Sequence, residues 1–503
     1  MNLAHNLELS AFFFPDRPAL RQNGHELTYR ELNDQASRIA TGLIKLGIRP
    51  GDHIGLCAPN SIEWIAFYFG VLKTGATAVT LSGMLTGEEL ANLVNHAKPR
   101  IIFTAETKLK ELEKLKGSGG GLEWIICPDG DMDLNHLIKT GSGSFKAIER
   151  DRSDTAAILY TGGTTGIPKG VMLSHESMIF SSHSIAGYER STQNDLSVCF
   201  LPFNHVFGQI HIMNTSIHCA GCLELLPVFD TEQVLGLMEQ GRVTKFFAVP
   251  TVYIRLLRQN NLEKRLGQLR YCFSAAASLA QEIVREWKER TGITISESYG
   301  MTEVMPVTFN HYYPERHVIG SVGHPIPGVE VQIRDFSGNA LEEGLDGEIC
   351  IRGRNVMKAY FENPEATRDA LSEDGWFRSG DIGYIDPDGY LFIVDRLKDL
   401  IITGGENVYP REVEEVLYTW PEVEECAIVG VPDKEWGERI CACIVPRAGH
   451  TLSTAELKNF LKSRLSGFKI PKDYIVQNEL PKSPAGKILK REIRKQLLNA
   501  GKQ

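Results

Sequence analysis

The chain has little of what marks secreted, membrane-spanning or nucleic-acid-binding proteins. Its longest apolar run, Trp64 to Leu72, is far short of the ~18 residues that cross a bilayer. The first residues, "MNLAHNLELSAFFFPDRP", place no basic region before their short apolar run, so no signal peptide is expected. The last, "NAGKQ", match no peroxisomal or prenylation address. No long basic stretch occurs and the net charge is −9, which argues against nucleic acid or an anionic membrane as partner. No internal repeat of ~20–50 residues is apparent. Ten cysteines are scattered rather than framed, which suits a reducing compartment, and a cytoplasmic location is expected. Cys219 and Cys222 form a C-x-x-C beside His218, with His211 upstream, but no second such pair lies near and the run around them is apolar, which disfavours a zinc or redox role. Cys441 and Cys443 alternate along "RICACIV" as one face of a strand.

What is present points to a multi-domain globular protein. The chain has 503 residues, whereas one hydrophobic core stops growing at roughly 250–300. Hydrophobic content of 42% and charged content of 23% are ordinary for such a protein. The first half alternates helix and strand signals. Thr28 and Glu31 form a capping box for a helix ending near Gly47, with Leu32, Ala36, Ile39, Leu43 and Ile44 on one face. Then come "HIGLCAP" as a buried strand, "SIEWIAFYFGVLK" as a helix, "TAVTL" as a strand, "GEELANLVNHA" as a helix and "RIIFTA" as a strand. This alternation predicts a parallel-rich sheet covered by helices. "GSGGG" at Gly117–Gly121 and "GSGS" at Gly141–Ser144 read as loops. From about Val322 short strands take over, namely "VEVQIRD", "GEICIRG" and "YLFIVDR". After Arg396 short strands and two helices are expected, one over roughly Pro410–Thr419 and one opened by Ser453 with Glu456. The fold class is therefore α/β: a large N-terminal multi-subdomain part over 1–394, a hinge over 395–398, and a small mobile α+β domain over 399–503.

The stretch "YTGGTTGIPKG", Tyr160 to Gly170, holds four glycines, three threonines and a lysine. Its spacing excludes a Walker A loop, which needs Gly-Lys-Ser/Thr opening a helix. Here Pro168 removes a backbone donor ahead of Lys169, and Gly170 supplies no hydroxyl. The flanks "AAILY" and "GVMLSH" read as two strands. A plain hairpin turn would explain the strands but not the concentration of glycine, threonine and lysine.

Six further segments follow in order: "LPFNHVFG" (Leu201–Gly208), "SAAASL" (Ser274–Leu279), "ESYGMTE" (Glu297–Glu303), "GWFRSGDIG" (Gly375–Gly383), "VDRLKDLIITGGENVYPREVEE" (Val394–Glu415) and "PKSPAGKILKRE" (Pro481–Glu492). Together with the loop, this ordered set resembles the adenylate-forming superfamily of acyl-CoA synthetases, peptide-synthetase adenylation domains and firefly luciferase. The resemblance runs from about Thr28 to Glu492. "GEICIRG" further resembles a segment of 4-coumarate–CoA ligases and their relatives.

The resemblance implies two half-reactions. A carboxylate attacks the α-phosphate of ATP to give an acyl adenylate and pyrophosphate, and a thiol, commonly that of coenzyme A, then displaces AMP. Such chemistry needs neutralised phosphate charge and a dry site for the mixed anhydride. By resemblance, the loop residues Thr161, Gly162, Gly163, Thr164, Thr165, Gly166 and Lys169 wrap the β- and γ-phosphates, where glycine N–H groups can form an anion nest. Thr302 contacts the α-phosphate, and Glu303 holds Mg2+, a hard ion suited to carboxylate oxygen. Asp381 accepts the ribose hydroxyls with Arg396 in support. Tyr299 packs on adenine opposite Ala275, Ala276 and Ala277, and Glu297, Ser298, Gly300 and Met301 complete the nucleotide segment. Lys487 bridges the substrate carboxylate and the α-phosphate during adenylation. Lys398 marks a hinge about which the small domain turns. That turn withdraws Lys487 and brings Gly404, Gly405 and Glu406 to the thiol's entrance, where glycine lets pantetheine pass close to backbone. His205 gates the acyl pocket, with Val206, Phe207, Val249, Met301 and Val322 as apolar neighbours.

Three positions depart from the family pattern: Gly162 where many relatives carry serine, Ile402 where some carry lysine, and Ser278 where proline is usual. Phe203–Leu226 contains no Lys or Arg, which favours a monocarboxylic, aliphatic or aromatic acid. The main expectation is an AMP-forming acyl- or aryl-CoA synthetase. Loading of a carrier protein's phosphopantetheine, a luciferase-like oxygenase and a non-enzymatic nucleotide binder are the alternatives. The intact Thr302, Glu303, Asp381, Arg396 and Lys487 weigh against the last, and the missing lysine at Ile402 against the oxygenase. Restoring a hydroxyl with Gly162→Ser is expected to tighten ATP or pyrophosphate binding by roughly tenfold or more, since a hydrogen bond to a charged group is worth ~1.5–3 kcal/mol. Titration calorimetry of both ligands checks this, and unchanged binding of both would remove the loop from the phosphate site.

Overall fold

A computed structural model describes residues 1–116, 121–161, 168–310, 313–483 and 486–500. Two seven-stranded sheets form its centre. One runs in the order Ala359–Tyr360, Lys169–Ser174, Thr155–Thr161, Thr77–Thr80, His53–Cys57, Ile101–Thr104, Trp124–Ile126, and is parallel from Thr155–Thr161 onward. The other runs Ile295–Glu297, Tyr271–Ser274, Lys245–Ala248, Leu196–Cys199, Cys222–Leu225, Pro18–Gln22, His25–Thr28, with only the last pair antiparallel. Strands such as Thr77–Thr80, buried at every position, lie inside these layers.

The helix Ile62–Lys73 illustrates why the sequence gives this arrangement. Ser61 caps it by accepting from the Trp64 N–H, and every residue but Glu63 is buried. A helix apolar all round is buried on all sides. The helix Tyr29–Lys45 packs against it with the expected amphipathic face, and its Thr28–Glu31 capping box is complete. Ile44 lies at the margin of that face and is 36% exposed.

An antiparallel four-stranded sheet follows, in the order Val329–Arg334, Gly347–Gly353, Phe377–Ile385, Leu391–Arg396. The main core draws on residues from Leu3 to Leu391, while two separate clusters draw on residues from Ile401 to Ile493. That C-terminal unit differs from expectation. Its centre is a long hairpin, Val423–Asp433 with Gly437–Pro446, rather than short strands, and a third helix spans Lys490–Ala500. Pro432 and Asp433, which interrupt the apolar pattern, fall at the hairpin's end instead of dividing it. Cys441 and Cys443 share one buried face of it, as their alternation indicates. The loop expected at Gly117–Gly121 lies, except for Gly121, outside the described residues.

Candidate active site

The strands Thr155–Thr161 and Lys169–Ser174 pair antiparallel, with Thr161 opposite Lys169, so the glycine-threonine stretch joins two strands as read. Gly162, Gly163, Thr164, Thr165 and Gly166 lie outside the described residues. Lys169 does not, and its Nζ sits 4.8 Å from the Tyr360 ring centroid. The Tyr360 hydroxyl donates to Glu303 Oε1 at 2.8 Å. Tyr360 thus joins two residues expected at the phosphates, and nothing local in "KAYFENPEAT" signals it.

Thr302 and Glu303 form the tip of a tight turn, closed by the Met301 N–H donating to Val304 O at 2.8 Å and the reverse bond at 3.1 Å. Val304 bridges to Val356, and the Met357 N–H donates to Glu303 O at 2.6 Å, which fixes the turn on the sheet wall. Burial raises the Glu303 carboxyl above its usual range, opposed by the Tyr360 bond and by the charges of Arg396 and Lys169. A hard-oxygen donor whose charge is disfavoured by burial and only partly offset by fixed cations suits a divalent cation such as Mg2+.

Asp381 and Arg396 face each other across adjacent strands. The Arg396 Nε lies 3.3 Å from Asp381 Oδ1, and the Tyr299 hydroxyl donates to Asp381 Oδ2 at 2.6 Å. Tyr299 is held in turn by its N–H donating to Thr308 Oγ1 at 3.2 Å, while Ser298 Oγ donates to Thr308 O at 2.6 Å. The three alanines leave the end of the strand Tyr271–Ser274 half-buried, with Ala276 at a φ of +70°. Gly300 is exposed. Glu297 is 7% exposed, its Oε2 has no hydrogen-bond partner, and burial followed by the Glu415 charge pushes its pKa up to about 8 against the pull of Arg411.

Lys487 enters this group from the C-terminal unit. The Ser483 N–H donates to Lys487 O at 2.8 Å and the Lys487 N–H to Ser483 Oγ at 3.2 Å, closing a small loop. The Lys482 Nζ anchors the loop's base on Glu425 at 2.7 Å. The Thr251 hydroxyl donates to Gly486 O at 3.3 Å. Gly486 has φ +82°, and a Cβ there would come within 2.9 Å of Val249 Cγ2, so glycine is needed for the approach. Burial pushes the Lys487 ammonium down to about 7, aided by Arg396 and Lys398 and opposed by Asp381 and Asp399. Burial and the Lys487 charge push His205 down to about 4. Its Nδ1 accepts from the Phe207 N–H at 3.2 Å, which leaves the proton of the neutral ring on Nε2.

His205 opens onto a π-helix, Phe207–Asn214. Val206, Phe207, Val249 and Val322 are buried in the main core and Met301 packs beside them half-buried. Behind this helix His211 Nε2 meets Glu189 Oε1 at 2.6 Å, and Lys245 Nζ is 3.3 Å from Glu189 Oε2 and 2.5 Å from Ser191 Oγ. The sequence does not signal this buried cluster, because its members come from three separate segments. Lys398 is exposed on the turn Leu397–Asp399. Gly404, Gly405 and Glu406 form an exposed hairpin tip, with φ +58° and +85° at the glycines and the Gly404 N–H donating to Trp436 O at 2.8 Å. Among the described residues no hydrogen bond joins that tip to Tyr299, Asp381 or Lys487.

Two family models match the chain: AMP-binding enzyme over residues 7–361 and AMP-binding enzyme C-terminal domain over 412–487. A long-chain-fatty-acid–CoA ligase of Bacillus subtilis is 33% identical, covering 96% of this chain and 92% of its own. An oxalate–CoA ligase of Arabidopsis thaliana is 35% identical, covering 98% of each. Among solved structures, ATP-bound MatB from Rhodopseudomonas palustris is 35% identical with a TM-score of 0.93 over 99% of each chain.

Glu297 gives a pH test of this geometry. Its folded pKa of about 8 stands above the ordinary carboxyl value of 4.5, so between those limits the folded state binds a proton that the unfolded chain releases. Stability then falls as pH rises through that window. Glu297→Gln mimics the neutral form. Its melting temperature is expected to match wild type near pH 5 and to exceed it near pH 8, by roughly 1 °C for each kcal/mol relieved in a unit of this size. A gap that does not widen with pH would contradict the buried, unpaired carboxyl.

Proposed function

The chain belongs to the AMP-binding enzyme family, and on that premise we propose how its residues divide the work of an AMP-forming acid–thiol ligase. The reaction is ATP-dependent activation of a carboxylic acid to an acyl adenylate with release of pyrophosphate, then transfer of the acyl group to coenzyme A with release of AMP. The carrier-protein and oxygenase alternatives gain no support from the similarities found.

The observation that carries the assignment of roles is the convergence of Lys487, Arg396, Asp381 and Tyr299 from two units of the chain. Asp381 accepts the ribose hydroxyls, positioned by Arg396 and Tyr299. Ala275, Ala276 and Ala277 leave a flat wall for the base, and Glu297, Ser298, Gly300 and Met301 line the segment that leads to it. The substrate carboxylate oxygen attacks the α-phosphorus as the bond to pyrophosphate breaks. Lys487 offsets charge on both oxygens at that moment, and Thr302 donates to the α-phosphate. Lys169 and the loop with Thr161 hold the leaving pyrophosphate. Glu303 would hold Mg2+, which supplies positive charge to the phosphates when bound. His205, neutral with its donor on Nε2, borders the carboxylate's place.

Burial of the Lys487 ammonium beside Arg396 is unfavourable until phosphate arrives, so this pose suits the first half-reaction. For the second, the unit after the 395–398 hinge turns at Lys398, and the Gly404–Glu406 tip replaces Lys487. The acid is a monocarboxylate. Phe203–Leu226 carries no Lys or Arg, and Lys245 behind it is committed to Glu189 and Ser191. The location is cytoplasmic, supported by free thiols at all ten cysteines. Among the described residues no helix is long and apolar enough to cross a membrane.

A panel of aliphatic and aromatic acids with ATP and Mg2+ is expected to give CoA-dependent AMP with at least one member; none doing so would defeat the assignment of substrate class. With that acid, Lys487→Ala is expected to lose ~10²–10³-fold in adenylation, the scale of one transition-state donor. Thioester formation from preformed acyl adenylate should be largely kept. Equal loss in both halves would remove the first-half role given to Lys487.

A further inference from the structure

The helix Gln281–Thr291 starts without a side-chain cap of its own. Its N-cap is Ala280, which makes no cap bond. Alanine is a poor choice there, because the first N–H groups of a helix have no acceptor within it. The acceptor comes from the other unit. The Gln281 N–H donates to Glu415 Oε2 at 3.2 Å, across 134 residues of sequence. Glu415 belongs to the helix Pro410–Tyr418, so its carboxylate meets the positive end of a helix dipole in the larger unit.

Glu415 is itself held. Arg411 lies on the same helix with its Nε 3.6 Å from Glu415 Oε1. Arg411 Nη1 donates to Ile393 O at 2.6 Å, and its N–H donates to Asp395 Oδ2 at 2.8 Å. Both acceptors lie on the strand that ends at Arg396. Beneath this junction is the unpartnered Oε2 of Glu297, whose titration responds to Glu415 and Arg411.

The place of the cap matters. Gln281 stands four positions beyond Ala277, and its helix connects the strand carrying the alanine wall to the strand leading to Tyr299. Other ion pairs also cross between the units. Arg258 meets Glu424, and Arg447 Nη2 lies 3.8 Å from Glu286 Oε2. The latter is loose and partly exposed, and such pairs contribute little. The Glu415 bond instead satisfies a backbone donor next to the nucleotide wall.

We propose that Glu415 is a positioning residue for adenylation: by capping Gln281–Thr291 from the C-terminal unit, it acts as a clasp that holds Lys487 in place. The clasp rests on the role given to Lys487 above. Any rotation of the C-terminal unit breaks the cap and returns the helix N-terminus to water, so the bond favours one pose over the other. It touches no reacting atom.

The full-length protein tests this with Glu415→Ala and Glu415→Gln. Two readouts need no substrate: hydrogen exchange at the first turn of Gln281–Thr291, and trypsin cleavage after Lys487. Both are expected to rise about fivefold in Glu415→Ala, the effect of a typical lost cap, and less in Glu415→Gln, whose amide oxygen still accepts. With an active acid, pyrophosphate exchange should fall by the same factor while thioester formation from preformed acyl adenylate is kept or rises. Unchanged exchange and cleavage in Glu415→Ala overturn the clasp, and so does equal loss in both half-reactions. A panel without any active acid would sink the assigned reaction, yet the two substrate-free readouts would still decide the clasp.

Discussion

The structure depends on one electrostatic constraint: a lysine from one unit is seated among the charges of another. Lys487 stands near Arg396 and Lys398 as well as Asp381 and Asp399, and burial dominates its environment. Lowering its pKa from 10.5 to about 7 costs a few kcal/mol when the ammonium stays charged. That cost has to be met by the docking itself. The contacts that meet it include the Thr251 hydroxyl on Gly486 O, the close approach of Gly486 to Val249, and the Glu415 carboxylate on the Gln281 N–H. A phosphate group in the site would restore the ammonium. Phosphate binding and seating of the small unit are therefore linked, each favouring the other to the same degree.

The partners of Lys487 sit on rigid elements while Lys487 arrives on a loop. Asp381 and Arg396 are cross-strand neighbours, so their separation is set by the sheet and not by side-chain choice. Glu303 sits on a two-residue tip pinned by backbone bonds on both sides. Tyr299 and Tyr360 then tie the sub-sites together with hydroxyl-to-carboxylate bonds of 2.6 and 2.8 Å. Preorganised groups of this kind need little reorganisation when charge develops. In the proposed reaction, the member that arrives on a loop, Lys487, is the one whose charge only the first step uses.

Much of this was legible in the sequence where the signal is local. The Thr28 capping box, the largely apolar helix Ile62–Lys73 and the two strands around the glycine-threonine loop follow from local pattern alone. Asp381, Arg396, Tyr299 and Lys487 were found through ordered segments, and the fold brings them together. Tyr360, Thr251 and Glu415 were not singled out. Each acts on a residue 57, 235 or 134 positions away, and such pairings leave no periodicity in a single sequence. The π-helix after His205 was hidden for another reason: its apolar pattern is shared with an α-helix, and only the hydrogen-bond ladder separates the two. Where short strands were expected after Arg396, the chain forms one long hairpin, and its Pro432 lies at the ladder's end, where a proline is tolerated.

The exposed tip at Gly404 and Gly405 bears on the proposal that one pocket serves two half-reactions. Both glycines hold positive φ, and a Cβ on Gly404 would lie 2.8 Å from the Trp436 ring. The tip is thus built to a fixed shape although it has no partner role in the pose seen here. Its strands belong to the same sheet as the hairpin Val423–Asp433 with Gly437–Pro446, onto which Lys482 of the Lys487 loop is anchored through Glu425. Lysine loop and glycine tip are therefore carried by one sheet, as the rotation proposed above requires. In the proposed reaction, release of pyrophosphate removes part of the negative charge that favours the charged form of the buried Lys487. The seated pose would then be less favourable on electrostatic grounds, which gives the first step a way to promote the proposed turn.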